Sequence, residues 1–122
     1  MNKRILIIDD EPDIREATQV CLEVVKGWEV LTAGSSNEGL AKAVAEQPDA
    51  VLLDVMMPDV DGLATFEQMQ ANPITRHIPV ILLTAKAQPA DHRRYTQLEI
   101  AAIITKPYDP LTLADQIAKI LH

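Results

Sequence analysis

Cysteine occurs once in 122 residues, at Cys21. A lone thiol forms no internal disulfide, so the fold rests on a core and suits a reducing compartment. Positive charge is also scarce. Lys and Arg total 11 against 18 Asp and Glu, leaving a net charge of −7. Such a chain lacks the basic face that nucleic acid or an anionic membrane surface requires. Long apolar runs are missing: the longest covers residues 100–104, far short of a spanning helix. Only four apolar residues, 5–8, separate Arg4 from Asp9, which is no signal peptide. Hydrophobic residues nevertheless make up 48%. That is ample for a core and too much for disorder. The expectation is one acidic cytoplasmic domain over residues 1–122, with no room for an effector domain after the last helix.

Short apolar runs recur at 5–8, 30–33, 50–53, 80–83 and 103–104. All but the second are continuous, which predicts strands buried on both faces. Helical patterns separate them. Ile14, Ala17, Val20, Cys21 and Val24 recur at threes and fours before Gly27, and predict a first helix with those residues, Cys21 included, facing the core. Ser35 or Ser36 caps a second helix with Leu40, Ala43 and Val44 inward. A third is predicted over 63–69 and a polar fourth over 89–98. Asp109 caps a fifth, with Pro110 at its first position. Strands alternating with single helices predict a doubly wound α/β fold, (βα) five times, with a parallel sheet and right-handed crossovers.

In a parallel sheet the carboxyl ends of the strands share one edge, where ligands bind. Asp9-Asp10-Glu11 follows the first strand, Asp54 the third, Thr84 the fourth and Lys106 the fifth. Three ionised carboxylates about 5 Å apart repel by roughly 3 kcal/mol per pair at an effective dielectric of 20. Lys106 offsets part of this. The remainder suits a hard divalent cation such as Mg²⁺. A carboxylate beside Mg²⁺ and an ammonium is equipped to accept a phosphoryl group, with Thr84 donating a hydrogen bond to it.

These residues carry a resemblance. Ile7-Ile8-Asp9-Asp10-Glu11, the stretch from Pro48 through Asp54 to Met56-Met57-Pro58, Asp61-Gly62, Leu83-Thr84-Ala85 and Thr105-Lys106-Pro107-Tyr108 resemble the receiver domain of two-component response regulators. More narrowly they resemble its stand-alone, chemotaxis-receiver-like type. The resemblance implies a flavodoxin-like sheet of order 2-1-3-4-5. It implies that Asp54 is phosphorylated from the phosphohistidine of a sensor histidine kinase or phosphotransfer protein. It implies Mg²⁺ held by Asp10, Asp54, the Met56 backbone carbonyl and, through water, Asp9. Thr84 and Lys106 would contact the phosphoryl group, and the Lys106–Pro107 peptide would be cis. A downstream protein would bind the face of the fourth helix, fifth strand and fifth helix.

Ile103 stands where many receivers place an aromatic lever, so Thr84 and Ile103 form the expected switch. Met56 and Lys86, two residues after Asp54 and Thr84, would tune the phosphoryl lifetime. His77, His92 and His122 have no metal-ligand spacing, and Arg93-Arg94 suits a solvated helix face. A receiver-like module that is never phosphorylated would not need the full acidic set. An aspartyl-nucleophile Mg²⁺ phosphatase needs an acid where Met56 stands. A flavin carrier of the same fold is disfavoured by 3% aromatics and by the lack of a Gly- or Ser/Thr-rich loop after the first strand.

Overall fold

The computed structural model describes residues 3–55, 62–84, 100–106 and 108–121. In chain order the elements are β1 (Arg4–Ile8), α1 (Pro12–Lys26), β2 (Glu29–Ala33), α2 (Ser36–Glu46), β3 (Ala50–Asp54), α3 (Gly62–Ala71), β4 (Val80–Thr84), β5 (Ala102–Thr105) and α4 (Pro110–Ile120). The helix predicted at 89–98 lies outside the described residues, so the helix capped by Asp109 is α4. Met56, Asp61, Ala85, Lys86, His92, Arg93, Arg94, Pro107 with its peptide bond, and His122 also lie outside them.

The strands form one parallel sheet in the order β2-β1-β3-β4-β5, the expected flavodoxin-like arrangement. Alternation of side chains splits the apolar runs between two faces. Leu6, Ile8, Val51, Leu53, Val80 and Leu82 pack with Ala43 of α2 and Phe66 and Met69 of α3. Ile5, Ile7, Ala50, Leu52, Ile81 and Leu83 pack with Leu22 of α1 and Leu113, Ala114 and Ile117 of α4. Both faces are covered, so the sheet is doubly wound and its central strands have no polar side.

Local signals place the helix ends. Ser35 accepts a hydrogen bond from the Glu38 N–H, Asp109 from the Leu111 N–H, and Gly27 closes α1 at φ 68°. The inward face of α1 differs from the sequence expectation. Thr18 and Leu22 are its buried residues, whereas Val20 is 51% and Val24 78% exposed, Ala17 is exposed and Cys21 is half-buried. At about 100° per residue, Ala17, Val20 and Val24 stand a quarter-turn or more from Thr18. The apolar residues of α1 cover too wide an arc for spacing alone to choose the packed row. Val44 of α2 is likewise exposed, at 39%. β5 is not buried on both faces either: Ile104 is buried, Ile103 only partly, and Thr105 is exposed. The reason is topological, because β5 is an edge strand with β4 as its one neighbour.

Ile8, the last residue of β1, packs into the notch left by Gly39 of α2. A Cβ at Gly39 would lie 2.6 Å from Ile8 Cγ1. Overpacking of this kind costs about 1–3 kcal/mol, against about 1 kcal/mol gained from the better helix propensity of Ala. Gly39→Ala therefore lowers the melting temperature by several degrees. A melting temperature equal to wild type would show that α2 rises off β1 at no cost.

Candidate functional site

The pairing register sets Asp54 beside Leu83 and Thr84 beside Thr105. The Lys106 N–H continues the ladder by donating to the Thr84 carbonyl at 2.7 Å. Asp9 enters from β1, its N–H donating to the Ala33 carbonyl of β2 at 3.0 Å. All of these positions lie at or just beyond a strand's carboxyl end, so they meet at one edge of the sheet.

Asp9, Asp54 and Thr84 are buried, Asp10 is half-buried and Glu11 is exposed. The Lys106 ammonium donates to Asp9 Oδ2 at 2.8 Å, Glu11 Oε1 at 3.1 Å and Asp54 Oδ2 at 3.2 Å. Three N–H groups thus meet three carboxylates. Asp9 Oδ1 accepts from the Glu11 N–H at 2.9 Å, and the Arg15 guanidinium donates to the Asp9 carbonyl at 2.7 Å. Burial alone would lower the Lys106 pKa. The hydrogen bonds to Asp9 and Glu11 and the charge of Asp54 outweigh it and hold the ammonium above its ordinary value.

One carboxylate oxygen from each of Asp9, Asp10, Glu11 and Asp54 lies within 4.8 Å of the others. Four hard, anionic oxygens around one point fit a Mg²⁺-type cation and would repel one another without a positive charge between them. Two hydroxyls flank the site. Thr18 of α1 and Tyr108, two residues beyond Lys106, share a hydrogen bond of 2.7 Å. Burial pushes the Tyr108 phenol up from its ordinary pKa, partly opposed by the Thr18 hydrogen bond.

Asp9, Asp10, Asp54 and Lys106 come together as the strand-end rule requires, and Thr84 ends the strand that pairs with Asp54. Ile103 does not sit at the site. It lies within β5, partly buried against the α2–α3 side of the sheet. Met56 and Lys86 fall outside the described residues. Sequence reasoning missed three partners: Glu11 on Lys106, Arg15 on the Asp9 carbonyl, and Thr18 on Tyr108. Glu11 and Tyr108 lay inside the motif stretches, but nothing in their spacing told what each would touch.

The family model for the response regulator receiver domain matches residues 5–118. The chain belongs to this family. The receiver is 36% identical to the alkaline phosphatase synthesis transcriptional regulatory protein PhoP of Bacillus subtilis, covering all of the receiver and 50% of that protein. It is 37% identical to the phosphate regulon transcriptional regulatory protein PhoB of Pseudomonas aeruginosa, covering 100% of the receiver and 53% of that protein. The chain thus spans about half the length of these curated relatives. Among solved structures it is similar to a CheY-like receiver domain protein of Methanospirillum hungatei, with a TM-score of 0.89, 31% identity and coverage of 99% of this chain and 94% of that one. Chemotaxis protein CheY4 of Vibrio cholerae superposes with a TM-score of 0.90 at 26% identity, covering 98% of this chain and 99% of that one. The chemotaxis-receiver likeness thus lies with solved structures, and the curated relatives named above are transcriptional regulators about twice as long as this chain. Among the described residues of the receiver, no helix is long and apolar enough to cross a membrane.

Proposed function

We propose that this receiver is a phosphorylation-controlled signalling domain in which Asp54 accepts a phosphoryl group from the phosphohistidine of a sensor histidine kinase or phosphotransfer protein. The observation that carries this is the burial of Asp54 at the end of β3, within the acidic cluster and ion-paired to Lys106 at 3.2 Å. In the reaction an Asp54 carboxylate oxygen bonds to phosphorus while the P–N bond breaks. Its electron pair returns to the ring nitrogen of an imidazole protonated on its other nitrogen, leaving neutral histidine. Asp9, Asp10 and Asp54, with the Met56 backbone carbonyl, would hold Mg²⁺; when bound, the ion supplies charge neutralisation for the phosphoryl oxygens. Lys106 binds and neutralises the transferred group, and Thr84 donates a hydrogen bond to it. The domain acts in the cytoplasm, over residues 1–122, through protein partners at the face of β5 and α4. Net charge of −7 disfavours direct nucleic-acid binding by this domain.

Intact mass after incubation with Mg²⁺ and acetyl phosphate tests the reading. One phosphoryl group should be gained, and none with EDTA present. A full gain in EDTA would overturn the role of the cation. The lifetime of the adduct carries a further expectation. Hydrolysis needs a water in line with the phosphorus–oxygen bond, and Met56, two residues after Asp54 in sequence, has no hydrogen-bonding side-chain group with which to orient that water. Met56→Asn should shorten the lifetime several-fold, within the roughly tenfold that 1.36 kcal/mol represents. Equal decay of variant and wild type would remove this role of Met56.

A further inference from the structure

Lys106 follows β5, a four-residue edge strand. Its backbone is held from one side, by the Thr84 carbonyl. Two residues on, Tyr108 reaches back to α1. Its hydroxyl meets Thr18 Oγ1 at 2.7 Å across 90 positions of sequence. Thr18 is only 1% exposed, and Tyr108 packs against the apolar cluster on the α1–α4 side of the sheet. Ile14, Ala17, Thr18, Lys106, Tyr108 and Pro110 line one groove of about 140 Å³, so the ammonium stem and the hydroxyl pair share walls. α1 is also the helix that begins directly after Asp9, Asp10 and Glu11. The Thr18–Tyr108 hydrogen bond therefore joins the element that carries most of the carboxylates to the segment that carries the cation.

We propose that this hydrogen bond is a strut that positions Lys106, making Thr18 and Tyr108 positioning residues for phosphoryl transfer to Asp54. The proposal rests on the phospho-acceptor function above. The bond itself touches neither donor nor acceptor. It sets how far the ammonium stands from the carboxyl edge of β1 and β3, and so how well it meets the phosphoryl oxygens as they transfer. Loss of the strut leaves the backbone at Lys106 braced by the edge strand alone, so the ammonium, though still paired with Asp9, Glu11 and Asp54, has more orientations to lose on the way to the transition state.

Initial rates of phosphoryl mass gain from acetyl phosphate at fixed Mg²⁺, measured beside thermal melts, decide the matter. Tyr108→Phe and Thr18→Val each remove one hydroxyl and should slow the gain about three- to tenfold, the scale of one net hydrogen bond. Thr18→Ser keeps the hydroxyl and should restore the rate to within about twofold of wild type. The double variant Thr18→Val, Tyr108→Phe leaves no unpaired buried hydroxyl, so its melting temperature should rise above that of either single variant. Its rate should nevertheless stay as low as theirs. A rate that recovers along with the stability would make the hydrogen bond a matter of folding only, and overturn the strut. Unchanged rates in both single variants would do the same while leaving the role of Asp54 intact. A wild type that gains no phosphoryl mass would overturn that role, and the strut with it.

Discussion

Asp54→Asn abolishes the gain of phosphoryl mass from acetyl phosphate, lowering the rate at least about hundredfold, or about 2.7 kcal/mol in barrier. The substitution is nearly isosteric, so it removes the nucleophilic oxygen and little else. The other acids are poorly placed to take over. Asp9 has both carboxylate oxygens engaged, Oδ1 by the Glu11 N–H and Oδ2 by Lys106. Glu11 points outward at the rim, its side chain 53% exposed. Lys106 keeps two carboxylate partners, Asp9 and Glu11, in the variant, so the fold should survive. Loss of one of several crowded negative charges favours the folded state further. Intact mass and circular dichroism together check the prediction. A folded Asp54→Asn protein that gains the same mass at the same rate would remove Asp54 as the acceptor.

Lys106→Met has its largest effect on stability, and that effect depends on the cation. The Lys106 side chain is 9% exposed and pairs with Asp9 and Asp54, which are 0% and 1% exposed. Removing one partner from a buried ion pair costs about 3–5 kcal/mol, because the remaining charge keeps its desolvation penalty without its attraction. In EDTA the melting temperature should fall by on the order of 10 °C for a domain of this size. Millimolar Mg²⁺ should return more stability to the variant than it adds to wild type, since the ion then fills a site no ammonium contests.

The pH dependence has a definite sign. The folded pKa of Lys106 lies above its ordinary value of 10.5. Its contribution to stability is therefore complete below that value and is lost as pH rises through the folded pKa. Wild type should lose stability above about pH 10.5 more steeply than Lys106→Met, in which that group is gone. Tyr108, also raised, works in the same direction in both proteins. Equal melting temperatures of variant and wild type in EDTA would show that the three Lys106 contacts carry no net stabilisation.

The doubly wound sheet was legible because it depends on local pattern. Continuous apolar runs such as 50–53 and 80–83 leave no polar face, and a strand with no polar face needs helices on both sides. Asp54 and Lys106 were legible for a related reason. In an alternating parallel fold, whatever follows a strand arrives at the same edge, whichever neighbours the strand has. The cap residues Ser35, Gly27 and Asp109 act within a few residues of themselves, so their roles are written locally as well.

Contacts that depend on how one element is rotated or seated against another were not legible. α1 carries apolar residues over a wide arc, and periodicity pointed to Ala17, Val20, Cys21 and Val24. Packing on the sheet turned in the Thr18–Leu22 row instead, and so brought Thr18 to the Tyr108 hydroxyl. The partial exposure of Ile103 followed from the place of β5 at the sheet's edge, which strand order decides and residue type does not. The amino-acid order by itself therefore determined which charged groups converge, since chain alternation alone sends them to one edge. The tertiary structure alone decided how those groups are braced, because the ion pair from Glu11 to Lys106 and the hydrogen bond from Thr18 to Tyr108 span about 90 residues or more. Distances of that kind are set by the seating of helices on the sheet, which the spacing of residues along the chain does not encode.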